Sequence, residues 1–319
     1  MSEFLDEHAA AVRAAAERIR PHVRRTPTLR TDLDPGLRLK AECFQVTGSF
    51  KTRGAFNAVL SLVARGPRPN GFIAVSSGNH AQAVALAART VGLPAVIIIP
   101  ADANPVKVAA TRALGAEVIQ DAITFANREQ RLREVMVERQ LTLVHPFDDW
   151  NVIHGQGTAT LELVTDEPDL EVIAAPLGGG GLLSGAAIAA KSHSSKVKVV
   201  GVEPAAADDA YRSWKAHRIV ALESTPATLA DGVRTTAIRE RTFQVMFGQG
   251  LVDEVVTVTE DEIASAVTLA WTRLHLALEP TGALTLAAYM AGKLGAGRIG
   301  LILSGGNANL ETVATLLTQ

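Results

Sequence analysis

Residues 171–190 read EVIAAPLGGGGLLSGAAIAA. The run 171–177 is apolar from its second residue on, the pattern of a strand buried on both faces. Small residues from Ala186 onward suit a closely packed helix. Between them stand Gly178, Gly179, Gly180 and Gly181, followed by Leu182. Consecutive glycines let backbone N–H groups converge on an anion, and the start of a helix adds partial positive charge. A tight strand–helix connection alone rarely needs a run of four glycines, so the stretch predicts a phosphate cradle in an α/β protein. It is not a dinucleotide fingerprint, because Leu183 replaces the last glycine of G-x-G-x-x-G, which disfavours a nicotinamide dehydrogenase. No Lys-Ser/Thr pair follows, so it is not a nucleotide P-loop.

The same strand–helix alternation extends outward in both directions. Strand-like runs occupy 37–44, 71–76, 95–99, 117–119, 141–144, 196–202, 251–258 and 298–303. The stretches between them are long enough for crossover helices. Asn104-Pro105 opens one with a cap and a proline at its first position. Thr259-Glu260-Asp261-Glu262 opens another with a capping box. Such alternation predicts parallel sheets covered by helices. Punctuation at 66–71 and at 145–149 separates the βα units between them from the rest. The expected organisation is a small domain of residues 66–145 inserted in a large one of residues 1–65 plus 146–319, with a ligand cleft between.

Composition narrows the class. The chain has 319 residues, enough for about two domains. A net charge of −2 with no basic stripe argues against nucleic-acid binding. A single cysteine, Cys43, excludes an internal disulfide and fits a reducing, cytoplasmic setting. Cys43 reads as a small buried hydrophobe within a strand. The first 23 residues form an amphipathic helical pattern, with Phe4, Leu5, Val12 and Ile19 on one face and Pro21 ending it. This pattern is neither a signal nor a transit peptide. No apolar run reaches the roughly 20 residues a membrane span needs.

Three further motifs carry chemistry. Lys51, in GSFKTRGA (48–55), stands where a strand-like run gives way to a helical pattern. A desolvated lysine there is an amine nucleophile able to condense with an aldehyde. Ser76-Ser77-Gly78-Asn79-His80 follows a strand and opens a helix; its hydroxyls, amide and N–H groups suit a carboxylate. A serine N-cap alone would account for one serine and not the whole cluster. Ser304-Gly305-Gly306-Asn307 follows another strand, with a hydroxyl at the strand end and glycines that let a ring approach. Taken together, the set meets the needs of pyridoxal 5′-phosphate holding an amino acid.

The chain resembles the serine/threonine dehydratase and serine racemase family, fold-type II pyridoxal-phosphate enzymes with a tryptophan synthase β-like architecture. SFKTRGA, SSGNHAQA, GGGGLLSG, GVEPAAADDAYRS, TLADGV, EPTGA and LSGGN occur in that order from about Arg24 to Leu310. The resemblance implies that Lys51 carries the cofactor and removes the Cα proton, and that Phe50 packs on the pyridine ring. It assigns Asn79 to the ring hydroxyl and Gly178, Gly179, Gly180, Gly181 and Leu182 to the phosphate. Gly232 lies beside the cofactor and Ser304 faces the pyridine nitrogen. Ser76, Ser77, Asn79 and His80 hold the substrate carboxylate, and Arg128 reaches substrate in the racemase branch. Ser77 faces the substrate opposite Lys51, which permits racemisation without proving it.

On the residues alone Glu203 and Asp209 read as an acidic helix start, in preference to a metal site. The resemblance assigns Glu203, Asp209 and the Ala207 carbonyl to a divalent cation; oxygen donors of this kind suit Mg²⁺, Ca²⁺ or Mn²⁺. The implied activity is β-elimination of L-threonine and L-serine to 2-oxobutanoate or pyruvate plus ammonia. Serine racemase and threo-3-hydroxyaspartate dehydratase stand as alternatives, with a non-catalytic cofactor-binding protein as the remote one. The resemblance is to the short form without a C-terminal regulatory domain, and it implies a homodimer acting on a small amino acid.

Overall fold

The computed structural model describes residues 3–101, 103, 105–124 and 127–318. It contains two sheets. The strands are β1 Thr28–Arg30, β2 Leu37–Ala41, β3 Phe72–Val75, β4 Ala95–Ile98, β5 Glu117–Ile119, β6 Thr142–Leu143, β7 Val172–Pro176, β8 Lys198–Pro204, β9 Glu254–Val258 and β10 Ile299–Leu303. The six-stranded sheet has the order β1-β2-β10-β7-β8-β9, and the four-stranded one β5-β4-β3-β6. Every pairing is parallel except the β1–β2 hairpin. In the centre of the larger sheet Leu301 lies opposite both Leu39 and Ala174.

β2, β4, β7 and β10 are buried along their whole length, which explains the unbroken apolar character of the last three; β2 instead alternates Leu37, Leu39 and Ala41 with the buried charges Arg38 and Lys40. Helices Glu3–Ile19, Trp150–Asp166 and Gly181–His193 cover one face of the large sheet. Helices Glu260–Thr272, Leu284–Met290 and Leu310–Leu317 cover the other. Helix Lys51–Ala64 shares its apolar core with the small sheet, through Ala55, Phe56, Ala58 and Val59.

Two glycines of helix Trp150–Asp166 bring three helices to backbone contact. A Cβ on Gly155 would fall 2.6 Å from the Arg53 carbonyl oxygen, and one on Gly157 2.7 Å from that of Gly185. The lysine-bearing helix and the helix behind the glycine loop are thus both seated on Trp150–Asp166. The capping box at Thr259 is present, with Glu262 N donating to Thr259 Oγ1 at 3.2 Å and Thr259 N donating to Glu262 Oε2 at 2.8 Å. Helix Pro105–Ala113 begins at the expected proline; its cap Asn104 lies outside the described residues.

Two strands fall three residues short of the runs the sequence predicts. β2 stops at Ala41, and Glu42–Phe44 is a 3₁₀ turn, so Cys43 is not in a strand. The turn carries the Glu42 carboxylate inward to Arg53 and Thr26. Burial pushes the Cys43 thiol up to about 11, which fits an inert hydrophobe. β9 starts at Glu254 because Val252 N is engaged by Met246 O instead of a ladder partner.

Arg53 is fully buried. Its guanidinium donates to Glu42 Oε2 (2.8 Å), Glu42 Oε1 (2.8 Å), Glu162 Oε1 (2.7 Å) and Glu162 Oε2 (2.9 Å). Lys40, also fully buried, adds a 2.7 Å pair to Glu162. Burial alone would raise Glu42, but Arg53 holds it below the usual carboxylate range. Removing one partner of such a cluster strands the others as uncompensated charge. Arg53→Met is therefore expected to lower unfolding free energy by about 3–5 kcal/mol, read from urea denaturation. Arg53→Lys should recover only part of this, since an ammonium cannot fork onto two carboxylates.

Candidate active site

Four of the predicted motifs follow the carboxyl ends of parallel strands: 47–51 after β2, 76–80 after β3, 177–182 after β7 and 304–307 after β10. Phe50 N donates to Ser304 O at 3.0 Å, and Gly306 N to Gly48 O at 2.9 Å. Asn307 Nδ2 donates to Thr47 O and to Asn79 Oδ1, both at 2.7 Å. The lysine, serine and asparagine segments are therefore laced to one another directly.

Lys51 is the first residue of its helix. Its Nζ donates to Pro146 O at 2.8 Å and lies 5.1 Å from the centre of the Phe50 ring. Desolvation pulls its ammonium down to about 8. Two imidazoles, buried His80 and partly buried His145, flank it in neutral form. His80 Nε2 donates to Val144 O at 2.8 Å; burial first, then the Lys51 charge, lowers it to about 3. His145 Nδ1 accepts from Phe147 N (3.2 Å) and Asp148 N (2.8 Å), and burial lowers it to about 4, aided by Arg239 and Lys51. These bonds fix the turn that holds Pro146 O against Lys51. With both rings neutral and already bonded, Lys51 is the base of this group whose proton is poised near neutral pH.

The 76–80 turn begins helix Asn79–Thr90. Ser76 Oγ accepts from Gly78 N at 3.2 Å, and Ser77 beside it is exposed.

The glycine loop packs closely against the protein on the sides where Cβ atoms would point. A Cβ on Gly179 would fall 2.3 Å from the Phe147 ring, on Gly181 2.9 Å from the Phe147 Cα, and on Gly178 3.0 Å from Val233. Gly180 has φ +89°, which favours glycine. Leu182 is buried in the first turn of helix Gly181–His193. No side chain caps this helix start, so its first N–H groups are open to an anion. Ser184 Oγ, in the same turn, is buried without a hydrogen-bond partner. An uncapped helix start, a loop with no room for side chains and an orphaned hydroxyl fit a phosphate group.

Gly232 N donates to Thr281 Oγ1 at 3.0 Å, while buried Ser304 Oγ has only a long 3.5 Å contact to Thr281 O. The Ser304 hydroxyl is therefore free to turn to a ring nitrogen. Arg128 opens helix Arg128–Glu138, which packs on β3 and β4; burial lowers its guanidinium. Pro146, Phe147, Thr281, Glu279 and Asn307 join the site without having been predicted for it. Thr281 and Glu279 lie in EPTGA, and Phe147 in the boundary stretch 145–149; only the motif context could have pointed to them.

Glu203 and Asp209 form a separate site at the end of β8. Each is 1% exposed. Glu203 Oε1 accepts from Tyr211 N at 2.6 Å, but Glu203 Oε2 and both Asp209 oxygens are buried without partners. Burial and then Asp209 raise Glu203 well above its ordinary value, and burial raises Asp209 to about 7. Two facing acids left unpaired at this depth are costly unless neutralised, so this donor set fits a hard cation. Ala207 lies in the turn between them. Among the described residues no third His, Cys, Asp or Glu joins the pair.

Comparison with known proteins gives concordant results. The family of pyridoxal-phosphate dependent enzymes matches residues 19–305. The chain is 40% identical to L-threo-3-hydroxyaspartate ammonia-lyase of Saccharomyces cerevisiae, over 95% of this chain and 94% of that protein. It is 40% identical to serine racemase of Schizosaccharomyces pombe, over 97% and 96%. The crystal structure of the T.th. threonine deaminase superposes with a TM-score of 0.89 at 46% identity, covering 94% of this chain and 98% of that one. Among the described residues no helix is long and apolar enough to cross a membrane.

The lowered Lys51 ammonium gives a pH prediction. Covalent capture of added pyridoxal phosphate needs the neutral amine, so its rate should rise with pH and level off above about 8. Stopped-flow absorbance with borohydride trapping reads both rate and site. A midpoint near that of a free lysine, or trapping that survives Lys51→Ala, would contradict the assignment.

Proposed function

The chain belongs to the family of pyridoxal-phosphate dependent enzymes, and on that premise we propose that it is an ammonia-lyase of hydroxy amino acids, converting L-threonine and L-serine to 2-oxobutanoate or pyruvate and ammonia. The observation that carries the proposal is the desolvated Lys51 amine, joined through Phe50 to Ser304 and through Pro146 and Phe147 to the glycine loop. When bound, pyridoxal phosphate supplies an aldehyde that condenses with an amine and a ring that draws off the electron pair left at Cα.

The residues divide the remaining work. N–H groups of 178–182 and the start of helix Gly181–His193 hold the phosphate, and Phe50 packs against the ring. The 76–80 turn holds the substrate carboxylate by hydroxyl, amide and backbone N–H groups. Lys51, as the neutral amine, takes the Cα proton. Ser304 offers the ring nitrogen a hydroxyl in place of a carboxylate, which does not hold that nitrogen protonated. That choice favours immediate loss of the β-hydroxyl over transamination. Loss of the Cα proton and of the hydroxyl as water leaves an unsaturated amine, which hydrolyses to the 2-oxo acid and ammonia.

Ser77 supports a second reading. In the resembled family this serine faces the substrate from the side opposite the lysine; on that assignment its hydroxyl returns a proton with inversion, making the chain a serine racemase as well. Arg128 at the start of its helix keeps threo-3-hydroxyaspartate open as substrate, since a guanidinium suits a second carboxylate. The names of the relatives at 40% identity support both alternatives. We further infer that Glu203, Asp209 and the Ala207 carbonyl hold Mg²⁺, Ca²⁺ or Mn²⁺, with water completing the shell. Residues 66–145 are taken as a small domain inserted in the large one, with the cofactor in the cleft between them.

Chiral chromatography and keto-acid assay with L-threonine, L-serine and threo-3-hydroxyaspartate separate the readings. Ser77→Ala is expected to cut D-serine formation by about a hundredfold or more while elimination from L-serine persists. If no substrate yields a 2-oxo acid, the lyase reading is wrong. For the cation, adding Mg²⁺ at about 100 times its dissociation constant should stabilise the fold by about 2.7 kcal/mol, seen as a raised melting temperature. Asp209→Asn should abolish that increment. A melting curve indifferent to all three cations would remove the metal assignment.

A further inference from the structure

One buried acid at the edge of the cofactor site has been given no role. Glu279 is 3% exposed. Its Oε1 accepts from Asn79 Nδ2 at 2.6 Å. Its backbone N donates to Gly305 O at 3.2 Å, and a Cβ on Gly305 would fall 2.4 Å from Oε1. The carboxyl is thus wedged between Asn79 and the glycine beside Ser304. Among the described residues no cation forms an ion pair with it. Burial, and then the Asp231 charge, push it up to about 7, with Lys107 opposing from helix Pro105–Ala113 and the Cys43 thiol on a further side. A buried acceptor with no cation bonded to it is costly to keep, and such groups concentrate at functional sites.

The geometry explains what it accomplishes. Asn307 Nδ2 spends its donors on Thr47 O and Asn79 Oδ1. The Asn307 amide is therefore fixed, and Asn79 must turn its oxygen toward it. A flipped Asn79 would set donor against donor at Asn307 and acceptor against acceptor at Glu279. With Oδ1 committed to Asn307 and one Nδ2 hydrogen to Glu279, a single Asn79 N–H is left.

We propose that Glu279 is a positioning residue of the cofactor site: its carboxyl, with Asn307, locks the Asn79 amide so that the remaining N–H is presented to the ring oxygen of pyridoxal phosphate. The proposal rests on the assignment of Asn79 to that oxygen. Asn79 is the residue that touches the cofactor; Glu279 acts through it.

The test uses Glu279→Gln, which keeps the volume and an acceptor oxygen but loses the carboxylate, alone and combined with Asn79→Ala. Melting curves confirm folding, and the visible band of the protein-bound cofactor and its dissociation by equilibrium dialysis are the readouts. Glu279→Gln is expected to shift the band and to weaken cofactor binding by roughly threefold to tenfold, the worth of one charge-assisted bond made neutral. In the Asn79→Ala background the same substitution should change neither readout, because its route of action is gone. An unshifted band with unchanged affinity, or an effect that persists at full size without Asn79, overturns the proposal. A wild-type chain that forms no visible band overturns the cofactor assignment itself, which separates the two failures.

Discussion

The buried guanidinium of Arg53 is the interaction on which the rest of the molecule depends. It joins a turn after β2, through Glu42, to helix Trp150–Asp166, through Glu162, from within the helix that starts at Lys51. Three elements from distant parts of the chain meet at one planar group, which orients them as well as attracting them. A hydrophobic contact at the same place would allow the helix to slide or rotate; a fork held by two carboxylates does not. Because Lys51 lies two residues before Arg53 on the same helix, the register of the Lys51 amine is fixed from below by a largely buried cluster.

The glycines of helix Trp150–Asp166 extend this control. Gly155 seats the lysine helix and Gly157 seats the helix whose start is the proposed phosphate cradle. The amine and the cradle are therefore placed by contacts to one shared element. Their separation is set by backbone packing, the least deformable kind of contact in the molecule. The strand-end loops then need only supply chemistry.

Much of this was legible in the sequence, for a physical reason. Strands buried on both faces must be continuously apolar, so β4, β7 and β10 announced themselves, and the glycine run after β7 had few competing explanations. The same rule misled at 42–44 and 251–253. At 251–252 apolar character reflects burial in a turn, and at 42–44 the buried side chain is the charged Glu42 while Phe44 is exposed; a one-dimensional pattern does not separate burial from pairing. Contacts distant along the chain were invisible. Nothing in residue 147 says that its ring will lie across Gly179, and nothing in Glu279-Pro280 says that the acid will be inside. An acid before a proline reads as a helix cap at the surface; only the tertiary fold, which brings Gly305 and Asn79 around it, makes it a buried acceptor. The orphaned oxygens of Glu203 and Asp209 likewise appear only in three dimensions, since the sequence reads there as an ordinary acidic helix start.

The glycine loop has one more consequence. Its glycines are held in place by Phe147, Val233 and the turn at Gly180, with or without a bound anion. The cradle is thus shaped by the protein's own packing before any anion arrives. A flexible loop would have to surrender conformational freedom on closing around its guest, and that loss would be subtracted from affinity. Here the loss is incurred during folding, once, and the newcomer meets a rigid receptor. Recognition of the phosphate becomes a matter of fit and charge, with little of the binding free energy diverted to ordering the chain.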